Sequence, residues 1–504
     1  MPARMRASIV VAAALATAAV TAAPTLAAST YSPRPTVTAS ATQSPFFDPC
    51  PHQAEDPDNG QVNYKDTEVE PLVAVNPTNP DNVIGVYQED RWSDGGAHGL
   101  VAARSLDGGA AYDAPSWAEF SSCSIHNKDD GTEEQLPRAT DPWVSFDHDG
   151  RAYQIGLAIT DGGLAGENAI SSSVSDDGGM NWSAPSQIQR IDDPLGIVFL
   201  DKQSITADPY HADRAWATWI QGNLPGQNLS FNKLVHAFSY RGTPMVSRTT
   251  DGGDTWTPPA KMTNANLYAQ GNQIVVEPDG TLVDIQAILF KGSGIQRNGN
   301  GVAMSVMRSK DGGRTWSAPS KIAPIRTVPE TEDGKALRVG DYLPDLAVDR
   351  QSGALYATWA DGLGGSTNKI VFSRSTDGGQ HWSAPTIVSH HDSAQSFNHA
   401  VEVGNDGEVG LIYYDTDRND NSTTSDGIPT DVYFRHSGDG GRSWSTPQKL
   451  TSYDFANAPN ARGLFVGDYQ GLAAIGPQDF LAFFGVTDSN PDSSNVVSIR
   501  LAGS

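Results

Sequence analysis

"SKDGGRTW", residues 309–316, decides the fold. A hydroxyl residue, an Asp and a Gly-Gly pair spell a tight turn, and a large aromatic closes the phrase. Gly adopts positive φ without a Cβ clash, the carboxylate can accept backbone N–H groups across the turn, and the aromatic is large enough to bury. Near-copies stand at 105 ("SLDGGAAY"), 175 ("SDDGGMNW"), 249 ("TTDGGDTW"), 375 ("STDGGQHW") and 437 ("SGDGGRSW"). Their aspartates, Asp107, Asp177, Asp251, Asp311, Asp377 and Asp439, are spaced by 70, 74, 60, 66 and 62 residues. A period of that size reads as one supersecondary unit per copy.

Each unit reads as four short strands. In the fifth, "DLAVD" (345–349) is followed by "ALYATWA", "KIVFSRS", the octapeptide and then "HWSAPTIV", apolar runs parted by Gly, Asp and Pro. The octapeptide falls between the third and fourth strands, a hairpin position, so its aspartates are assigned to structure. Four-stranded antiparallel units arranged radially make an all-β propeller. Innermost strands read at "EPLVAVNP", "DPWVSFDHDG", "KQSITADP", "NQIVVEPDG", "LPDLAVD", "NHAVEVGNDG" and "YQGLAAI". That count favours seven blades, with six and an appended hairpin as the alternative. The last unit runs out after three strands, and the segment before residue 67 is available to supply a fourth.

The totals agree. Gly and Pro together number 82 in 504 residues, and 3.6-residue periodicity is not apparent. Residues 1–28 place Arg4 and Arg6 before an apolar run ending in small residues, a secretory leader with cleavage near Ala27 or Ala28. The mature chain is therefore expected outside the cell, with residues 29–66 as an N-terminal segment and 67–504 as the propeller. No later stretch is long and apolar enough to insert in a membrane as a helix. The formal charge of −25 opposes nucleic acid and anionic lipid, although a local Arg cluster can still hold an anionic sugar. Cys50 and Cys123 are the only cysteines, and in an oxidising compartment a disulfide between them is expected to pin the N-terminal segment to the first repeat.

The phrase Ser/Thr-x-Asp-x-Gly-x-x-Trp is similar to the Asp box, or BNR repeat, of the sialidase superfamily, and the resemblance runs over residues 67–504. It implies a secreted exo-α-sialidase-like glycosidase that acts on a glycan or glycoconjugate in a central pocket, with no required cofactor; the alternative is a non-catalytic propeller that binds a glycan or a protein. Such chemistry needs an Arg cluster for the substrate carboxylate, a Tyr nucleophile with a Glu base, and an Asp proton donor. "YQEDRWSD" (87–94) resembles the family's acid-then-Arg segment, which implies Arg91 as a carboxylate ligand and Asp94, or Asp90, as general acid. "GDYQGLAAI" (467–475) resembles the nucleophile strand and implies Tyr469 in that role. Arg338 and Arg462 stand just ahead of the two "VGDY" copies and can add positive charge. Those copies present Asp341 with Tyr342 and Asp468 with Tyr469 at the same repeat position, as two walls of one site or as a strand-opening device.

Other positions depart from the pattern. "VEP" (69–71) stands where the family has Arg-Ile-Pro, so Glu70 replaces the first clamp Arg. In "QGNQIVVEPDGTLVDIQA" (270–287) the expected Glu falls at about Gly271 and the next Arg near Gln286. Polar residues at the starts of inner strands, among them Glu68, Glu70, Asp141, Asp201, Lys202, Asp345, Asn398 and His399, widen the field, and if both "VGDY" pairs face the pocket, the carboxylates of Asp341 and Asp468 suit hydrolysis of a neutral sugar or a cation site. In "DTDRNDNSTTSDG" (415–427), Asp415, Asp417 and Asn419 alternate as calcium ligands do, but a sixth-place Gly and a twelfth-place Glu are missing. Calcium and a solvated loop both stay open there.

Overall fold

The structure is a computed structural model. It describes residues 29–40, 43–47, 50, 61–126, 135–160, 166–193, 198–223, 241–265, 267–291, 302–328, 331–332, 335–389, 395–416, 427–476 and 478–504. The leader and residues 417–426 of the calcium-like stretch lie outside the described residues.

Each octapeptide folds as a self-satisfied turn. Ser309 Oγ donates to Asp311 Oδ1 at 2.8 Å, and the same oxygen accepts the N–H groups of Arg314 and Thr315 at 3.0 and 2.9 Å. The Gly313 N–H donates back to Ser309 Oγ at 2.9 Å. The same hydroxyl, carboxylate and backbone pattern recurs at Asp107, Asp177, Asp251, Asp377 and Asp439. The second glycine is also required by its neighbours. Gly441 has φ +79°, and a Cβ there would lie 2.2 Å from the Phe372 ring of the preceding unit.

Between the turns run antiparallel strands in groups of three or four. The first is Asn63–Val75, Val83–Trp92, Ala97–Ser105 and Ser116–Trp117. The second is Arg138–Phe146, Ala152–Ile159, Asn168–Ser175 and Ser186–Ile191. Later groups start at Val198–Ala207, Leu267–Val276, Asp345–Val348, Ser396–Val403 and Gly471–Ile475. The final group has only three strands of its own, and Tyr31–Pro33 pairs with its outermost strand Ser494–Gly503, Tyr31 opposite Gly503. The Cys50–Cys123 disulfide, with Cα atoms 5.1 Å apart, holds the N-terminal segment against the first group.

The first strand of each group contacts the first strand of the next, and Gly471–Ile475 contacts Asn63–Val75. Apolar packing follows the same sequence. Val73, Val83 and Tyr87 of the first group pack with Ala473, Leu481 and Phe483 of the last. Leu200 and Trp219 meet Ile155 and Leu157, and Leu346 and Trp359 meet Val283 and Ile285. Second strands are therefore covered on both faces. Val83–Trp92, Ala152–Ile159 and Val409–Thr416 are buried at every position, polar residues such as Glu89, Gln154 and Asp415 included. No described helix is long and apolar enough to cross a membrane.

Candidate active site

Five of the first strands break their pairing near their start. The register slips between Val69 and Leu72, Thr140 and Trp143, Asp201 and Ser204, Gln270 and Gln273, and Phe397 and His399. At each slip one residue takes positive φ: Glu70 (57°), Asp141 (55°), Lys202 (50°), Gly271 (68°) and Asn398 (34°). These are β-bulges, which re-aim a side chain out of the strand's alternation. Four of the five are not glycine, and each such conformation costs about 1–2 kcal/mol that the surrounding sheet must offset.

The bulges bring charge together. Lys202 Nζ lies 2.5 Å from Asp468 Oδ2, 3.7 Å from Glu70 Oε1 and 3.8 Å from Asp141 Oδ2. Arg338 Nη2 reaches Asp468 Oδ2 at 3.6 Å, and its guanidinium packs 4.1 Å from the Phe465 ring centre. Arg91 lies 5.0 Å from the same ring and donates to Gln88 Oε1 at 2.6 Å, while Gln88 Nε2 donates to Glu70 Oε2. Three cations thus gather around one carboxylate of the protein itself.

The environment sorts the carboxyls by charge. Burial opposes ionisation of Asp468, but Lys202, Arg338 and Arg91 outweigh it and hold this group down to about 2. Asp141 is also buried, yet Lys202 and a hydrogen bond shared with Glu70 keep it below the usual range. Burial, then the charges of Asp141 and Asp468, push Glu70 well above that range, so the proton of the Glu70–Asp141 pair rests on Glu70. Burial and the charge of Asp468 raise Asp341 to about 6. Burial raises Asp201 to about 6 as well, against the pull of Lys202.

Asp141, Lys202, Asn398, Asp468 and Tyr469 line one end of a cavity of about 420 Å³. It follows the inner strands past Trp143 and Gln273 to Asn76, Asn405 and Gly476. The Trp143 and Tyr469 rings stand 5.5 Å apart in its wall.

Of the residues singled out in the sequence, Tyr469 and Asp468 line this cavity, and Arg91 and Arg338 belong to the charge network beside it. Tyr469 donates its hydroxyl to the Pro142 carbonyl at 3.0 Å. Burial, then Glu70, Asp141 and Asp468, drive that hydroxyl well above 10, away from a nucleophilic phenolate. Asp341 is half-buried beside Asp468; it is not among the cavity's lining residues, although Gly340 and Leu343 on either side are, and among the described residues its Oδ1 has no hydrogen-bond partner. Tyr342, at φ 63°, packs on the cluster around Leu346 and Trp359.

Asp94, Asp90 and Arg462 are not among the cavity's lining residues. Asp94 pairs with Arg138 Nη1 at 2.5 Å and accepts from Gln61 at 3.2 Å, and Arg462 donates to the Asp94 carbonyl. Asp90 is buried and accepts Ser44 Oγ at 2.6 Å, the Asp66 N–H at 2.8 Å and His98 Nδ1 at 2.8 Å. Asp345 and Asn398 also spend their polar atoms on the frame, Asp345 on Gln273 and the Val401 N–H, Asn398 on Gly340 and Gly467. Burial lowers His399 to about 4, so it is neutral, and Nδ1 lies 2.8 Å from the Thr358 hydroxyl. The Glu70–Asp141–Lys202 network was not singled out from the other inner-strand polar residues. Its signal was the polar dipeptide, "EP", "DP" or "KQ", directly before an alternating run.

Over 253 residues the chain is 25% identical to a xyloglucanase of Paenibacillus sp, a match covering 46% of this chain and 22% of that protein. Over 212 residues it is 25% identical to a sialidase of Bacteroides fragilis, covering 38% of this chain and 36% of that protein. The chain thus resembles both a xyloglucanase and a sialidase over part of its length. It therefore spans about a fifth and about a third of the length of these two curated relatives. Among solved structures, the Hadza microbial sialidase Hz136 aligns with a TM-score of 0.46 and 16% identity over 84% of this chain and 74% of that one. No protein-family model matches the chain.

Proposed function

We propose that this chain is a secreted, sialidase-like glycoside hydrolase that cleaves a terminal residue from an uncharged glycan in the hub of a seven-bladed propeller. The cyclic succession of inner-strand contacts, with Tyr31–Pro33 completing the last group, supports seven blades. The leader-like N-terminus and the disulfide support export.

The grip of Lys202, Arg338 and Arg91 on Asp468 carries the substrate assignment. An exo-α-sialidase substrate brings its own carboxylate, which would have to compete with Asp468 for cations already engaged and would face Asp141 as well. A neutral sugar meets no such repulsion. The Trp143 and Tyr469 rings offer it an apolar wall, and the surrounding carboxylates offer acceptors for its hydroxyls.

The opposed protonation states assign the chemistry. Asp341, held up to about 6 with an unpartnered oxygen, donates its proton to the departing glycosidic oxygen. Asp141, kept ionised by Lys202, faces the positive charge that develops at the anomeric carbon as the glycosidic bond breaks. A water molecule adds to that carbon and gives its proton to the now ionised Asp341. Glu70 and Lys202 hold Asp141 in place.

The test is turnover of a panel of fluorogenic neutral glycosides beside a fluorogenic sialoside. We expect hydrolysis of a neutral glycoside, a fall in rate as pH rises through about 6, and a loss of about 10²–10⁴-fold in Asp341→Asn and in Asp141→Asn. Faster turnover of the sialoside would overturn the substrate assignment. Glycan binding without turnover of any substrate would overturn the enzyme and make the chain a binding propeller.

A further inference from the structure

The first group of strands carries a second acidic cluster that the hub chemistry does not use. Glu68 and Glu89 sit directly opposite each other on paired strands, 1% and 0% exposed. Like charges so placed repel, and burial removes the water that would screen them. Among the described residues, both carboxylate oxygens of Glu89 and Oε2 of Glu68 are buried with no donor group to satisfy them, and the Glu89 carboxyl has only that of Glu68 beside it. Asp66 and Asp90 each bring an oxygen to within 4.8 Å of one on Glu89.

The donors already present are spent at the edge of this cluster. Asp90 takes the Ser44 hydroxyl, the Asp66 N–H and His98, and Asp66 takes the Ser44 N–H at 2.6 Å. The Ser40 hydroxyl serves Glu68. None of them reaches Glu89, which brings an oxygen into the cluster.

We propose that Asp66, Glu68, Glu89 and Asp90 bind one calcium ion between the first group of strands and the N-terminal segment. A site built from carboxylates alone suits a hard cation, and the nearby sulfurs of Cys50 and Cys123 are joined to each other and offer no thiolate. Calcium accepts six to eight oxygens in irregular arrangements, whereas magnesium demands a near-ideal octahedron and keeps much of its water. Two paired strands fixing four carboxylates in place favour the larger ion. Asp66 is partly exposed and opens the route from solvent. The ion also explains why Ser40 and Ser44, both in the N-terminal segment, converge on the same carboxylates.

The experiment is titration calorimetry on the full chain after EDTA treatment, with calcium chloride and magnesium chloride in parallel, together with melting curves in each ion. One equivalent of calcium is expected to bind with Kd of about 10⁻⁶–10⁻³ M and to raise Tm, with EDTA reversing the rise and magnesium binding more weakly. Glu89→Gln should weaken calcium binding at least about tenfold. Asp66→Asn should do the same, and because that side chain is partly exposed its fold is the safer of the two. Asp341→Asn in the hub should leave the calcium affinity unchanged. Absence of heat and of any Tm shift would overturn the proposal and leave Glu68 and Glu89 sharing a proton. Calcium binding that survives both Glu89→Gln and Asp66→Asn would also overturn it, by placing the ion elsewhere, as in the 415–427 stretch.

Discussion

The turns at the rim and the bulges at the hub both bend the chain through positive φ, and they treat their carboxylates in opposite ways. At the rim, glycine takes the bend, and a ring of N–H and O–H donors surrounds each Asp. Hydrogen bonds from Thr315 hold Asp311 down to about 2, and those from His381 do the same for Asp377. At the hub, Glu70, Asp141, Lys202 and Asn398 take the bend, and acids such as Glu70 and Asp341 are desolvated faster than they are paired. The rim is arranged to close hairpins at low cost, whereas the hub concentrates strain and mismatched protonation where a ligand can reach.

The sharpest way to break this contrast is to remove the hub cation. Lys202→Met leaves Glu70, Asp141 and Asp468 buried around an apolar side chain, and we expect a loss of about 3–5 kcal/mol in urea unfolding. A loss below about 1 kcal/mol would mean that the carboxyls relax by taking up protons or water. Gly441→Ala tests the rim. With φ +79° and the Phe372 ring in the way of its Cβ, it should cost about 1–3 kcal/mol in the same assay and leave the hub's substrate preference intact.

The smallest effect distinguishes the two regions by pH. A carboxyl raised on folding, such as Asp341, stabilises the fold below its unfolded value near 4 and loses that contribution as pH rises through about 6. The lowered rim aspartates behave the other way. Their contribution is present above about 4 and is lost as pH falls through about 2. Asp341→Asn should therefore stabilise the protein by about 1 kcal/mol at neutral pH, after discounting for partial exposure, while abolishing turnover. A melting profile of this variant that still falls between pH 4 and 6 as steeply as the parent's would show that another group, such as Asp201, dominates there.

The same contrast decides what could be read from the sequence. Rim geometry is local: hydroxyl, Asp and glycine lie within five residues and act on one another, so six copies announce the hairpins directly. The final group carries no octapeptide, and its three strands were legible from their apolar runs alone. Hub geometry is not local. Arg91 and Tyr469 were recognisable from their flanking residues, but Lys202 meets Asp468 across 266 residues, and the side that each faces depends on a one-residue bulge. Asp94 shows the converse. It has the right neighbours in sequence, and Arg138, arriving from the next group, takes its carboxylate at 2.5 Å. Pairing register sets Glu89 against Glu68, while Arg91 turns to Gln88.

The seam between Tyr31–Pro33 and Ser494–Gly503 has a kinetic meaning. Thr30 and Ser504, whose hydroxyls stand 2.6 Å apart, are separated by 474 residues. Closing so long a loop adds little to the equilibrium cost but much to the waiting time. Until that contact forms, Ser494–Gly503 has an unpaired edge, and a chain held up at that stage is the one most exposed to intermolecular strand exchange.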